Sequence, residues 1–276
     1  MCIFHYTTID AIPGICQSNG LSFWATRYNY LNDPLEFVLY EKQKPFIENI
    51  CNENKWAYDK YMTLSPYIIS FCAKEDDFNM WRLYGDNGYG AVLILDDEVM
   101  EKTSLLIKED KFNGKTLSSR CNIDYLLNVL YYDKKNQIEQ FCKCFNALSE
   151  KYPTDFQDQA LTACCFLKSI DYEIETEVRY IRVNYNGLIA TSAEDIREIP
   201  EMSTSIKYRV RKGGIIVPYI EIVFPKEALL GIILGYNSEI KNVDTLCTLL
   251  QSRGYKGQTI RMTDYSMLNN KPVVVV

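Results

Sequence analysis

The chain has 276 residues, of which 47% are hydrophobic and 24% charged, so it predicts a globular protein with a sizeable core. A formal net charge of −6 argues against broad electrostatic binding to nucleic acid or anionic membranes, although it is compatible with a local basic groove. No window approaches the roughly 18 apolar residues of a membrane helix, and the N-terminus lacks a signal-peptide pattern, so we expect a cytoplasmic protein without membrane contact.

Ten cysteines and one histidine limit the available metal chemistry. Most cysteines lie in apolar runs and none forms a CxxC pair, which indicates reduced core thiols rather than disulfides. We therefore predict no metal, and a zinc site built from Cys142, Cys144, Cys164 and Cys165 is the alternative. Any imidazole chemistry must use His5, because it is the single histidine.

The first third of the chain predicts short strands joined by turns and helices. An apolar strand over residues 2–7 carries His5, Tyr6 and Thr7 at its end, and Asp10 begins a short helix that runs to Cys16. A second strand is predicted over residues 21–25. The turn Asn32-Asp33-Pro34 then starts a helix over about 35–50, since proline favours the first helical position.

The next segment predicts a buried strand over residues 66–73, an acidic loop and a helical turn over 79–85 that carries Trp81, Arg82 and Tyr84. Gly88-Tyr-Gly90 precedes a strand over 91–95. Glycines flanking an aromatic residue there let the backbone approach another chain segment or a ligand closely.

Helices are predicted over 124–149 and 154–169, so we interpret the chain as one α+β domain, 1–276, with a mainly helical insertion near 97–170. Polar and apolar residues alternate over 173–183, which is typical of a strand with one buried face. That strand places Glu173, Glu175, Glu177 and Arg179 on one face. Neighbouring carboxylates repel one another, so this face is either a functional site or a solvated surface of Glu/Arg pairs.

The last third predicts a basic segment over 207–212, which is either a phosphate contact or a solvated surface. It is followed by strands over 215–223, 229–234 and 258–262, a helix over 241–252 and a terminal strand over 273–276. No GxGxxG fingerprint or P-loop is present, which argues against Rossmann-type nucleotide binding.

Four ordered segments resemble the bacterial family of unknown function known as DUF2971, and the resemblance covers most of the chain. They are His5-Tyr6-Thr7, Leu31-Asn-Asp-Pro-Leu-Glu36, the stretch from Ser70-Phe-Cys through Met80-Trp-Arg-Leu-Tyr84 to Gly90, and Glu175-Thr-Glu-Val-Arg179. Each segment is weak alone, whereas the ordered set is specific. The family name implies no chemistry.

The same arrangement is similar to the ADP-ribosyltransferase superfamily, including DarT-type DNA-modifying toxins and RNA 2′-phosphotransferases. The likeness rests on an opening strand ending His-x-Thr, a Gly-Leu before the second strand and a late glutamate before Val. It implies an α+β fold with a split, mixed or antiparallel sheet under a helical cover, and NAD in a central cleft. It further implies that His5 clamps the nicotinamide ribose beside Thr7, and that Glu177 is the catalytic carboxylate, with Glu175 completing an E-x-E spacing.

A carboxylate suits this chemistry because breaking the glycosidic bond of NAD develops positive charge on the ribose. Nicotinamide needs an aromatic slot and the diphosphate needs cations. The aromatic candidates are Trp81, Tyr84 and Tyr6, and the cationic candidates are Arg27, Arg82 and Arg179. The middle tyrosine of the superfamily has three candidates in this chain, Tyr28, Tyr30 and Tyr84. The superfamily has no obvious counterpart of the turn Asn32-Asp33-Pro34 or of Trp81.

The resemblance thus implies an NAD-dependent ADP-ribosyltransferase-like protein of a toxin or phage-defence system. NAD is the expected substrate, no metal is needed, and the acceptor stays open between protein and nucleic acid. An antitoxin or another defence-system protein is the implied partner. The alternatives are an NAD glycohydrolase, or a non-catalytic module that senses nucleotides or binds protein.

Overall fold

The computed structural model of the protein describes most of the chain. The described residues are 2–32, 45, 48–50, 52–53, 64–103, 108–112, 115–119, 122–133, 135–151, 159–185, 188–190, 196–198, 205–211, 213–265 and 273–276. The turn at Asp33-Pro34 and most of the helix predicted over 35–50 lie outside these residues.

Six α-helices and five short 3₁₀ helices are present in the described part of the chain. The α-helices are α1 (Ile12–Ile15), α2 (Phe78–Leu83), α3 (Asp97–Thr103), α4 (Gln137–Lys151), α5 (Gln159–Cys164) and α6 (Lys241–Ser252). The 3₁₀ helices are Ile9–Ala11, Tyr28–Tyr30, Asp86–Gly88, Ile170–Glu175 and Lys226–Ala228.

Eighteen strands accompany these helices in the same residues. They are β1 (Cys2–Thr7), β2 (Cys16–Gln17), β3 (Gly20–Arg27), β4 (Leu64–Cys72), β5 (Ala91–Asp96), β6 (Lys108–Phe112), β7 (Lys115–Ser119), β8 (Asn122–Asn128), β9 (Leu130–Tyr132), β10 (Leu167–Ser169), β11 (Glu177–Tyr185), β12 (Leu188–Ala190), β13 (Ile196–Glu198), β14 (Lys207–Val210), β15 (Ile216–Phe224), β16 (Leu229–Leu234), β17 (Thr259–Met262) and β18 (Val273–Val275).

Twelve strands form one mixed, largely antiparallel sheet, which confirms the α+β class. Its main path runs β14-β15-β3-β4-β1-β5-β16-β17-β18, and β11 joins the side of the path by pairing with both β4 and β8. Within this sheet the described parallel pair is β16 with β17, on either side of α6. A strand, helix, parallel strand order of this kind is a βαβ unit, built from the strands and the helix predicted over 229–262.

The core lies on both faces of the sheet, because alternate residues of β4 and β11 belong to different apolar clusters. Tyr180 packs in the cluster that α6 covers, whereas Ile181 packs in the cluster that α4 and α5 cover. This alternation is the two-residue period expected of a strand buried on both faces. No helix among the described residues is long and apolar enough to cross a membrane.

The sheet divides at β4, and this division positions the cavity described below. On the side opposite β11, β4 pairs with β3 at Ile68 and Tyr67, but it pairs with β1 at Cys72. Ser70 lies between these two short ladders, so its backbone carbonyl faces a gap where β1 and β3 separate. An unpaired backbone carbonyl needs another donor, and here an imidazole supplies it.

Three predicted elements differ from the structure, and one is the helix predicted over 154–169, because α5 ends at Cys164 and residues Leu167–Ser169 form strand β10. The strand predicted over 173–183 begins at Glu177, because residues Ile170–Glu175 form a 3₁₀ helix and Thr176 adopts a left-handed conformation with φ of 42°. The helix predicted from residue 124 is strand β8, which pairs with β11, followed by β9. Helix α4 begins at Gln137. The region near 97–170, expected to be mainly helical, therefore contains strands as well as helices; the single-domain partition stays a prediction.

Candidate functional site

A cavity of about 720 Å³ opens where β1 and β3 diverge from β4. This volume lies within the range of roughly 300–1,000 Å³ typical of small-molecule sites. His5, Tyr6 and Thr7 line it from β1, and Glu175 and Glu177 line it from the turn into β11. Residues that the sequence places 170 positions apart in the chain thus share one concave site.

His5 is held by its own strand and by β4. Its Nδ1 lies 3.1 Å from the Ser70 carbonyl oxygen, which can only accept, so Nδ1 carries the proton and Nε2 keeps its lone pair. The rings of Phe23 and Phe71 pack edge-on against the imidazole, at 5.1 and 5.7 Å between centroids. Burial lowers the pKa of His5 to about 4, although the Ser70 carbonyl opposes this shift. The imidazole is therefore neutral at pH 7.

The two carboxylates reach the cavity through the turn at Thr176. The 3₁₀ helix Ile170–Glu175 ends there, and β11 begins at Glu177 one residue later. Glu175 is 6% exposed and Glu177 is 5% exposed. They do not form a solvated surface, and Glu173, which the sequence placed on the same face, is exposed instead.

Buried cations compensate the two carboxylates. The Lys168 ammonium lies 2.6 Å from Glu175 and 3.3 Å from Glu177. The Arg179 guanidinium donates twice to Glu177, from Nε at 2.8 Å and from Nη2 at 2.9 Å, and its Nη1 donates to the Cys165 carbonyl at 2.7 Å. Two negative and two positive side chains thus neutralise one another, because charges buried away from water need partners of opposite sign.

The pKa of Glu177 follows from this network. Burial alone raises the pKa of the carboxyl, but the charge and hydrogen bonds of Arg179, the charge of Lys168 and a hydrogen bond from the Ser70 hydroxyl outweigh burial and lower it to about 2. Glu177 is consequently ionised throughout the physiological range.

Two tyrosines extend the site beyond the charges. Tyr84, which is 40% exposed, donates its hydroxyl to Glu175 Oε1 at 2.6 Å. The Tyr6 hydroxyl accepts from the Asp77 backbone N–H at 2.9 Å and donates to the Glu75 carbonyl at 2.9 Å, which ties the acidic loop to β1. Burial raises the pKa of Tyr6, so its hydroxyl acts as a neutral hydrogen-bonding group.

Four other predicted site residues lie away from the cavity surface. Trp81 is 0% exposed and donates its ring N–H to Asp76 at 2.6 Å, so it is a core residue that packs edge-on against Tyr6. Arg82 is exposed and Arg27 is partly exposed, and neither lines the cavity. Arg179 does not line it either, and acts on it through Glu177. Of the turn Asn32-Asp33-Pro34, Asn32 lines the cavity.

Among the cavity residues that the sequence did not single out are Lys168, Ser70 and Trp24. Lys168 ends an otherwise apolar run that follows Cys164, and Ser70 interrupts an apolar strand. In both cases, a polar residue within an apolar pattern was the signal that could have identified the residue. Trp24 lines the mouth of the cavity together with Arg209 and Arg211, which belong to the basic segment 207–212 that the sequence left open between a phosphate contact and a solvated surface. Their convergence depends on the pairing of β14, β15 and β3, which no local pattern encodes.

Among the cysteines that the structure describes, Cys72 is the one that lines the cavity. Cys144, Cys164 and Cys165 are buried, and burial raises the pKa of the Cys144 thiol to about 12. Within the described ranges, no three His, Cys, Asp or Glu side chains are grouped so that they could hold a metal ion.

Comparison with known proteins finds a family match over part of the chain, and this match carries no chemistry. Residues 80–180 match the family model described as protein of unknown function (DUF2971), and this match confirms the family resemblance. The matched region includes α2 from Met80 onward, Lys168 and both cavity carboxylates. No curated protein matches the chain, and no solved structure matches it.

Proposed function

We propose that this member of the DUF2971 family is an NAD-dependent ADP-ribosyltransferase-like enzyme that modifies a protein or nucleic-acid acceptor. One observation carries the proposal: His5, Glu175 and Glu177 line a single cavity at the division of the sheet. A cavity that combines buried carboxylates, a neutral imidazole and tyrosines has the groups that glycosidic bond cleavage uses.

In this reaction the bond between the nicotinamide nitrogen and C1′ of the ribose breaks, and its electron pair stays with the nicotinamide. An oxygen or nitrogen of the acceptor forms the new bond to C1′ and releases a proton. Glu177 stays ionised and lies within the cavity, so it stabilises the positive charge that develops on the ribose. His5 holds a ribose hydroxyl, which can donate to its unprotonated Nε2.

Glu175 is the better acceptor for the released proton. Arg179 occupies both oxygens of Glu177, whereas Glu175 contacts the Tyr84 hydroxyl and the Lys168 ammonium. A general base needs an oxygen that is not fixed by a guanidinium, and Glu175 Oε1 accepts from the Tyr84 hydroxyl instead. The Tyr84 ring, beside this carboxylate, is the candidate wall for the nicotinamide.

Nicotinamide release tests the proposal. The purified protein is incubated with NAD, with and without bacterial lysate, and is compared with Glu177→Gln. We expect the substitution to lower the rate by at least about 100-fold, the usual cost of removing one electrostatic or acid–base group. Glu173→Gln is the matched control, because Glu173 is an exposed glutamate of the same segment. This variant should turn over NAD like the wild type.

Dependence on lysate separates transfer from hydrolysis. Release that needs lysate indicates an acceptor, whereas equal release without it indicates an NAD glycohydrolase, which uses water at the same site. Absence of both release and NAD binding in the folded wild-type protein is the outcome that overturns the proposal.

A specific observation favours a second candidate, a non-catalytic module that senses nucleotides or binds protein. Both cavity carboxylates already have cationic partners, as expected of a network that maintains a binding site rather than one that reacts. Such a module binds NAD or a related nucleotide with similar affinity in wild type and Glu177→Gln, and releases no nicotinamide.

A further inference from the structure

The mouth of the cavity carries an aromatic and cationic cluster that the proposed chemistry does not use. Trp24 on β3 is 50% exposed and its ring lies 4.7 Å from that of Tyr219, tilted by 31°. The Arg209 guanidinium lies 5.6 Å from the centre of the Trp24 ring and donates to the Thr26 hydroxyl at 2.8 Å. Arg211 follows two residues later, and both arginines line the cavity.

The two arginines are positive charges without acidic partners in the described part of the chain. No carboxylate there forms an ion pair with either, although the whole protein carries a net charge of −6. Lys207, on the same strand, is different, because it pairs with Glu221 and does not line the cavity. Uncompensated guanidinium groups at the entrance of a cavity attract an anion, and phosphate oxygens suit their planar, forked geometry.

The position of this cluster relative to the carboxylates limits the shape of a ligand that contacts both. Arg209 lies on β14 and Glu177 on β11, and β15, β3 and β4 lie between those two strands in the sheet. Four strand spacings of about 4.8 Å separate the two backbones by roughly 19 Å. A ligand that touches both groups is therefore elongated, with its anionic part toward the arginines and away from the carboxylates.

We propose that Trp24, Arg209 and Arg211 form a subsite for an adenylate, with the purine stacked on the exposed face of Trp24 and the phosphates held by the two arginines. Aromatic side chains stack on nucleobases, and guanidinium groups bind phosphate. The subsite rests on the geometry of the mouth alone. Its identification with the AMP half of NAD rests on the proposed function, because that half lies farthest from the scissile bond.

Binding of AMP, ADP-ribose and inorganic diphosphate to the full chain, measured by calorimetry, tests the subsite. We expect Arg211→Gln to weaken all three by at least about 10-fold, since each loses one charge-assisted phosphate contact. Trp24→Ala should weaken AMP and ADP-ribose by a similar factor and leave diphosphate unchanged. Lys207→Gln is the matched control and should bind all three like the wild type.

Arg209→Gln removes the second guanidinium but also the contact with Thr26, so Arg211→Gln keeps the test decisive if Arg209→Gln does not fold. Unchanged AMP affinity in Arg211→Gln, or no AMP binding by the wild type, overturns the subsite. Arginine-dependent binding of a single-stranded oligonucleotide, without binding of AMP or ADP-ribose, overturns the adenylate assignment in favour of a nucleic-acid surface.

Turnover separates this inference from the proposed function. Arg211→Gln should raise the KM for NAD by about 10-fold with little change in kcat, whereas Glu177→Gln should abolish turnover and retain AMP binding. AMP binding without NAD turnover supports the subsite and contradicts the proposed function. NAD turnover that Arg211→Gln and Trp24→Ala leave unchanged contradicts the subsite and supports the proposed function.

Discussion

His5 is the single histidine of the chain, and its surroundings decide its protonation state. Phe23 and Phe71 pack against the ring, and burial lowers its pKa from 6.5 to about 4, because a charged imidazole loses hydration there. The Ser70 carbonyl opposes this shift without reversing it. A neutral imidazole with a known tautomer is suited to accept a hydrogen bond, but not to serve as a cation at pH 7.

Because the chain has one histidine, its imidazole resonance in an NMR titration needs no assignment by mutation. We expect the folded protein to show a midpoint near pH 4. A midpoint near 6.5 in the folded protein contradicts the burial and the hydrogen bond described for this ring.

The same pKa shift predicts a loss of stability in acid. The folded-state pKa lies below the unfolded value of 6.5, so the unfolded chain binds the proton first as the pH falls from about 6.5 to 4. Between these pH values, this group lowers the free energy of unfolding by up to about 1.4 kcal/mol for each unit that the pH falls. Urea unfolding at pH 7 and pH 5 should show a smaller loss of stability for His5→Asn than for wild type; an equal loss argues against the shift.

Lys168 is the residue on which the paired carboxylates depend. Lys168→Met leaves Glu175 without an ionic partner and should destabilise the fold by about 3–5 kcal/mol. Adding Glu175→Gln removes the unpaired charge, so the double variant should be more stable than the sum of the single effects by about 1 kcal/mol or more. Chemical denaturation of the four proteins measures this coupling.

The exposed pair of Lys143 and Glu139 on α4 is the control for this cycle. It should show a coupling of about 0.5 kcal/mol or less, because solvent screens it. Additive effects at Lys168 and Glu175 would mean that their contact contributes little, which contradicts the buried network.

At the scale of single elements, the turn before β11 determines the geometry of the carboxylates. A continuous strand would separate Glu175 and Glu177 by a full two-residue repeat on one face. Instead, the left-handed Thr176 ends the 3₁₀ helix and starts the strand, so both side chains reach Lys168. The Thr176 carbonyl accepts from the Ala73 N–H at 2.9 Å, which fixes this turn to the end of β4.

Gly90 controls the approach of the segment before β5 to β1. A Cβ on Gly90 would lie 2.2 Å from the Thr7 carbonyl oxygen. This oxygen belongs to the backbone of a strand, so it cannot move aside as the end of a flexible side chain can. We expect Gly90→Ala to destabilise the protein by about 2 kcal/mol or more, as overpacking does. Gly14→Ala is the control, because a Cβ there meets nothing within 4 Å, and its stability should be unchanged or slightly higher.

Thermal and urea unfolding measure both glycine variants. Equal stability of Gly90→Ala and wild type would show that β1 and the turn before β5 can separate without cost, contrary to the close contact described. The sequence left open whether Gly88 and Gly90 approach a ligand or another chain segment. Both approach the chain itself, Gly88 at Tyr236 and Gly90 at Thr7.

At the scale of the whole molecule, a large sheet with one division holds the site between long-range partners. The net charge of −6 keeps most of the surface unfavourable for polyanions, while Arg209 and Arg211 concentrate positive charge at the mouth of the cavity. This distribution favours a small anionic ligand that enters one cavity over a long polyanion bound along the surface.

The proposed activity predicts toxicity in bacteria, since consumption of NAD or modification of an essential acceptor stops growth. We expect induced wild-type protein and Glu173→Gln to arrest growth, and Glu177→Gln at the same expression level to restore it. Colony counts and intracellular NAD measure the effect. Arrest that persists with folded Glu177→Gln contradicts an enzymatic toxin of a defence system and favours a binding module that acts with a partner.

The sequence by itself determined the α+β class, most strands of the twelve-stranded sheet and helix α6, because periodicity and turn residues are local signals. It also singled out His5, Glu175 and Glu177, through residue types that are unusual in their segments. It predicted the wrong element from residue 124, where the pairing of β8 with β11 outweighs a helical pattern.

Only the tertiary structure decided which cations meet the site. Arg27 and Arg82 are near the motifs in the chain but do not line the cavity, whereas Lys168, Arg209 and Arg211 do. Thr26 and Arg209 are 183 residues apart and meet because β15 pairs with both β3 and β14. The register of such strands depends on contacts along the whole sheet, so proximity in the sequence could not predict it.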